Sequence, residues 1–185
     1  YTPQTAGAVS LFVNQISSIS KFKNSINIYG NTQSKIFLSS NYRNINFNKN
    51  FLQSSSKNYV ESFLKIKNIL KSNIIEIHNR PNYIKYIKKK YNKKIFLYFH
   101  NDPLSMDGST SVNERLYLIN NIDKLIFNSN WSKKRFFHNI PNNMLDDDKF
   151  EVCFQSSNKV KINFSKKEKI ISFIGKLNSA KGYDI

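Results

Sequence analysis

Gly175, Lys176, Lys181 and Gly182 stand in the closing stretch ISFIGKLNSAKGYDI at a spacing suited to holding an oxyanion. Gly175 allows a sharp exit from the apolar run 170–174, and Gly182 admits close backbone approach where a helix would begin. Backbone N–H groups at such a start, reinforced by the helix dipole, favour a phosphate. Lys176 and Lys181 would add two ammonium groups on the same rim, matched to charge developing on a diphosphate leaving group. The pattern is not a Walker loop, which needs G-x-x-x-x-G-K-[ST]; here the order is Lys-Gly. With no ligand, the same residues would make an ordinary strand-to-helix turn carrying two exposed lysines.

A second group of reactive side chains closes two apolar runs. His78 ends NIIEIH and His100 ends KIFLYFH. His100 is the candidate catalytic residue. A neutral imidazole both donates and accepts, so it could serve a hydroxyl or a reacting centre, or simply cap a strand end. Asn79 and Arg80 follow His78 directly, and Arg80 is one of only four arginines in a Lys-dominated chain, with a fork suited to carboxylate or phosphate. Asp102 and Ser109 lie in the Gly/Ser/Asp stretch 101–110, where Asp102 and Asp107 read as turn residues. His78, His100 and Asp102 have no tight H-x-x-x-H spacing or Cys pair beside them, so no metal site is expected.

These residues need elements to position them, and two periodicities alternate along the chain. Leu11, Phe12, Ile16 and Ile19 mark a helix over 7–20. Short strands are expected at 25–29 and 35–38, a polar loop at 39–56, and a helix carrying Val60, Phe63, Leu64 and Leu70. Strand 73–78, a Pro81-opened helix to 92, strand 94–100 and loop 101–110 follow. Ser111 and Glu114 have capping-box spacing for the next helix. Strand 123–128, helix 129–138 and strand 151–155 complete the alternation, before a polar stretch and a strand at 170–174. Strands apolar on both faces, alternating with helices, predict a parallel α/β sheet with helices on both faces. Ligands of such sheets bind beyond the carboxyl ends of the strands, which selects His78, His100, Asn128-Ser129 and Gly175-Lys176.

The tail resembles the G-R-L-x-x-x-K-G signature that opens the second domain of family 4 glycosyltransferases, which have the GT-B fold. Lys176 stands where that family usually has Arg, which keeps the charge and loses bidentate recognition. TPQTAGAVSLFVNQI resembles the small-residue loop and first helix of the family, with Ala6-Gly7 in place of its Gly-Gly pair. IIEIHNRP, KIFLYFHNDP and DKLIFNSNWSKKRFF resemble later strands in the family's order. The resemblance implies a Rossmann-like acceptor-side domain over 1–156, a linker over 157–169, and the start of a nucleotide-sugar-binding domain over 170–185. It further implies retaining, metal-independent transfer from a nucleotide-diphosphate sugar to a glycan or lipid-linked acceptor, without a separate cofactor. Gly7, Gly175, Lys176, Lys181 and Gly182 would hold the donor diphosphate. His100 would sit near the reacting sugar, and His78, Asn79, Arg80, Asp102 and Ser109 would line the acceptor side. The family's first strand and most of its second domain have no counterpart here, so the 185 residues by themselves are expected not to transfer sugar.

Bulk properties frame these expectations. A hydrophobic content of 39% supports a folded core, and no apolar run approaches the length of a membrane span. Cys153 stands alone, so no internal disulfide forms, which fits a reducing cytoplasm. The formal charge of +17 favours polyanionic partners, although AT-rich codons also favour Lys, Asn, Ile and Phe. Tyr83, Ile84, Ile87 and Tyr91 form a stripe flanked by Lys85, Lys88, Lys89, Lys90, Lys93 and Lys94. That helix could lie on the inner face of an anionic membrane, or pack on the sheet with its lysines in water. Two competing functions remain. A basic nucleic-acid-binding module would use Phe136 and Phe137 after Lys133-Lys134-Arg135 for stacking. The basic residues are spread too widely for a specific nucleic-acid partner to be expected. A sugar-nucleotide epimerase or another GT-B-like enzyme is the other alternative.

Overall fold

The computed structural model of the chain describes residues 2–4, 6–47, 54–141 and 147–156. All pairings among its described strands are parallel. β1 (Ile28–Gly30) pairs with β2 (Tyr42–Asn44), while β3 (Ile74–His78), β4 (Lys94–Phe99), β5 (Lys124–Phe127) and β6 (Phe150–Val152) lie side by side in chain order. Parallel neighbours require a crossover, and helices lie in each one of the larger sheet. α3 (Ile84–Ile87) joins β3 to β4, α4 (Val112–Asn121) joins β4 to β5, and α5 (Asn130–Phe136) joins β5 to β6. α1 (Ala8–Ile19) precedes β1, and α2 (Ser55–Leu64) precedes β3. The architecture is α/β with parallel sheets, compatible with a Rossmann-like fold.

Register places the core on one face of the larger sheet. Ile75 pairs with Ile95, Ile77 with Leu97, Leu97 with Leu125 and Phe99 with Phe127, and all of these are buried. Ile84, Ile87 and Tyr91 from the first crossover join them, with Leu118 and Ile119 from α4, Phe136 from α5 and Val60 and Leu64 from α2. Consecutive right-handed crossovers in one direction deliver their helices to the same side, which accounts for this single deep core. The stripe of Ile84, Ile87 and Tyr91 is therefore inside the protein, not presented to a membrane.

On the opposite face β4 and β5 still carry Phe96, Tyr98 and Ile126, and β3 departs from the expectation of strands apolar on both sides. β3 alternates, with Ile74 and Glu76 exposed and His78 half-buried, because this face carries polar and aromatic groups. α1 covers its carboxyl end with Phe12, whose ring lies 5.1 Å from Tyr98 and 5.0 Å from His100. Among the described residues, no helix is long and apolar enough to cross a membrane.

Several boundaries differ from the sequence expectations for identifiable reasons. No strand forms at 35–38; β2 forms instead inside the stretch expected to be loop. Phe37 covers Tyr42 at 4.6 Å between ring centroids, and Tyr42 lies over Gly30, where an added Cβ would stand 2.8 Å from the phenol oxygen. The apolar run thus caps a strand pair without joining it. α2 begins at Ser55, earlier than expected, since Ser54 Oγ accepts from Lys57 N at 3.3 Å. It stops at Leu64, and Asn68 in the left-handed region (φ 73°) redirects the chain so that the turn Ile69–Lys71 buries Ile69. The helix expected over 81–92 is a 3-10 turn, Pro81–Tyr83, followed by the single turn of α3. The capping box at Ser111 is present: Ser111 Oγ accepts from Glu114 N at 3.2 Å, and Ser111 N donates to Glu114 Oε2 at 2.9 Å. β6 ends at Val152, so Phe154 and Gln155 lie beyond it. The linker at 157–169 and the strand and turn at 170–185 lie outside the described residues.

Candidate functional site

The carboxyl ends of β3 and β4 carry His78 and, one residue past the strand, His100. His78 is in register with Tyr98, so His100 extends past it on the same face. Asn79 adopts a left-handed conformation (φ 52°) and prolongs the ladder, its N–H donating to the Tyr98 carbonyl at 2.9 Å. Its side-chain oxygen then accepts the His100 N–H at 2.7 Å. From the other side, Asn128 at the end of β5 donates its amide to the His100 carbonyl at 2.8 Å, and Ser132 Oγ donates to Asn128 Oδ1 at 2.8 Å. Neighbours on both flanks thus hold the backbone of His100, which is buried.

The ring is equally constrained. It stacks on Tyr98 with centroids 4.2 Å apart and an interplanar angle of 9°, while Phe12 meets it edge-on. His100 Nε2 lies 2.9 Å from His78 Nδ1, and His78 Nε2 lies 3.0 Å from Glu76 Oε1. On the far side, Gln155 Nε2 lies 2.6 Å from His100 Nδ1. One proton arrangement suits neutral rings throughout. The carboxylate can only accept, so His78 donates through Nε2 and accepts at Nδ1; His100 then donates through Nε2 and accepts the Gln155 amide at Nδ1. Burial, followed by the adjacent His78, pushes the His100 value down to about 4, so the ring is neutral near pH 7.

Tyr98 fixes the last member of the chain. Its hydroxyl donates to the Cys153 carbonyl at 2.5 Å, which holds the segment after β6 against β4 and brings Gln155 to His100. Burial, and then this bond, raise the Tyr98 phenol well above its ordinary range, so it remains a donor.

The other expected site residues fall in different places. Arg80 is exposed and donates through Nη1 to its neighbour's Asn79 carbonyl at 2.8 Å. Asp102 caps the turn Pro103–Ser105, accepting from Leu104 N at 3.0 Å and facing Arg135 Nε at 3.3 Å, a turn role in keeping with its sequence context. Ser109 is fully buried, and its hydroxyl donates to the Pro103 carbonyl at 2.6 Å, so it braces the loop interior instead of offering a hydroxyl at the surface. Gly7 caps α1 with an extended backbone (φ −76°), and a Cβ there would meet nothing within 4 Å. Gly175, Lys176, Lys181 and Gly182 lie outside the described residues. Among those described, no three His, Cys, Asp or Glu side chains converge on a metal position.

The structure therefore gathers His78, Asn79, His100 and Asn128, and adds Glu76, Tyr98, Phe12 and Gln155. Glu76 and Tyr98 were detectable, because each stands two residues before a selected histidine and so shares its face. Phe12 and Gln155 left no local signal. Phe136 is buried and Phe137 packs at 5.3 Å between ring centroids against it, so neither is displayed for stacking on bases.

Fold and site together define a parallel α/β domain with a hydrogen-bonded histidine pair, His100 buried and His78 half-buried, at the carboxyl edge of its sheet. No protein-family model matches the chain, and no curated protein or solved structure matches it.

Proposed function

We propose that this chain contributes the acceptor-side domain and the opening diphosphate turn of a nucleotide-sugar-dependent glycosyltransferase of the GT-B fold, similar to family 4. The observation that carries the reading is the His78–His100 pair, held at the carboxyl edge of parallel strands where such sheets take ligands. A neutral, rigidly positioned imidazole suits hydrogen bonding to sugar hydroxyls. Gly175, Lys176, Lys181 and Gly182 enter through their sequence pattern, as donors to a diphosphate. The whole enzyme would move a sugar from a nucleotide-diphosphate donor to a glycan or lipid-linked acceptor, with retention and without a metal. The +17 charge is compatible with phosphorylated substrates and with contact at an anionic membrane surface.

Calorimetric titration of the chain with UDP-, GDP-, ADP- and CDP-sugars tests the reading. At least one donor should bind, and Lys181→Ala should weaken it about tenfold, the loss of one charge-assisted hydrogen bond. If no member of the panel binds at millimolar concentration, the proposal fails.

A further inference from the structure

His100 presents one nitrogen toward a residue that can leave. Gln155 is exposed, lies outside any strand, and reaches His100 Nδ1 through a side chain alone. The last backbone anchor before it is the Cys153 carbonyl held by Tyr98. The opposite nitrogen is different, since Nε2 is engaged by His78, and His78 in turn by Glu76, all from neighbouring strands.

The geometry points to His100 Nδ1 as a latched acceptor site, closed by Gln155, that admits the hydroxyl or amine donor of a sugar-like ligand and excludes oxyanions bearing no proton. Glu76 enforces the selection from two residues away. With both rings neutral, its carboxylate must accept, which leaves His78 Nδ1 as a lone pair and makes His100 keep its proton on Nε2. Nδ1 is then a lone pair too. A sulfate or phosphodiester oxygen placed there would set lone pair against lone pair with no hydrogen between them. A hydroxyl replaces the Gln155 N–H donor one for one, so ligand entry leaves no buried acceptor bare. This inference rests on the proposed function only in taking the sheet's carboxyl edge as a ligand site, and it assigns that edge to hydroxyls, leaving the diphosphate to the lysines.

Long-range 1H–15N correlation of the imidazole rings in the 185-residue chain tests it directly. Near pH 7, His100 should carry its proton on Nε2 alone. Glu76→Gln, whose amide can donate as well as accept, and Glu76→Leu, which can do neither, should both yield a mixture of tautomers. Methyl α-glucopyranoside should shift the His100 Nδ1 signal, and Gln155→Ala should bind it about three- to tenfold more tightly because the competing latch is gone. Sulfate should leave that signal in place in both proteins. An Nδ1-protonated His100 in the unaltered chain, no tightening in Gln155→Ala, or a sulfate shift equal to that of the glucoside would each overturn the inference. The two readings separate cleanly. Nucleotide-sugar binding with the wrong tautomer removes only the selectivity, while glucoside binding at Nδ1 without any nucleotide-sugar binding removes the glycosyltransferase.

Discussion

Acidification from pH 7 to pH 5 works against the buried imidazole of His100. Its ordinary value of 6.5 falls to about 4 in the folded chain, mainly through burial and then through His78, with Glu76 opposing in part. Between those values the unfolded chain binds more protons at this position than the folded one. Stability is therefore complete above pH 6.5, declines as the pH drops, and levels off below about 4. With each unit worth about 1.4 kcal/mol, the loss reaches about 2 kcal/mol at pH 5 and about 3 kcal/mol at pH 4. Urea unfolding followed by far-UV circular dichroism at pH 7, 6, 5 and 4 reads this out, comparing the unaltered chain with His100→Phe. Phenylalanine keeps a ring between Tyr98 and Phe12 and cannot titrate, while Glu76 and His78 remain in both proteins. The unaltered chain should lose about 2 kcal/mol more than the variant between pH 7 and pH 5. Curves that run parallel to within about 0.5 kcal/mol would refute the claim that folding buries His100 as a neutral ring.

Substitutions at three positions test the supports around the site. Gly108→Ala places a side chain at φ +91° with its Cβ 2.6 Å from the backbone nitrogen of Asn82, so it should cost at least about 2 kcal/mol, read as a lower urea midpoint. Arg115 is 2% exposed and donates to the carbonyls of Ser109, Thr110 and His138; Arg115→Met should cost about 3 kcal/mol in the same assay, and Arg115→Lys should recover only part of it because the fork is lost. Ser111→Ala removes the capping hydroxyl of α4 and should lower stability by about 1 kcal/mol, with faster amide exchange confined to the first turn of that helix.

The elements most legible in the sequence are those whose causes are local. IIEIH, KIFLYF and KLIF become β3, β4 and β5 within a residue or two of their expected limits, because β-branched and aromatic runs of this length suit parallel strands. The Ser111 capping box was readable for the same reason: its donors and acceptors sit three residues apart. β2 was not legible. Its formation depends on Tyr42 lying over the bare Cα of Gly30 and under Phe37, contacts that no window around residues 42–44 contains. α2 was misread at its start because Ser54 sits in a Ser-rich stretch, where the capping serine looks like every other loop residue until a helix follows it.

By itself, the sequence determined the alternation of strands and helices, and it selected His78 and His100 as strand-end residues, since both follow from short-range patterning. Tertiary structure decided what those histidines can do. Parallel register set His78 beside Tyr98, and His100 beyond it, so that the two rings share a hydrogen bond. Gln155 arrives from 55 residues away because Tyr98 anchors the chain after β6. Burial beneath Phe12 keeps His100 uncharged. Ser109, chosen for its hydroxyl, turned inward to the Pro103 carbonyl of its own loop. Residue type tells what a group can donate or accept, and only the surrounding fold settles which partner takes it.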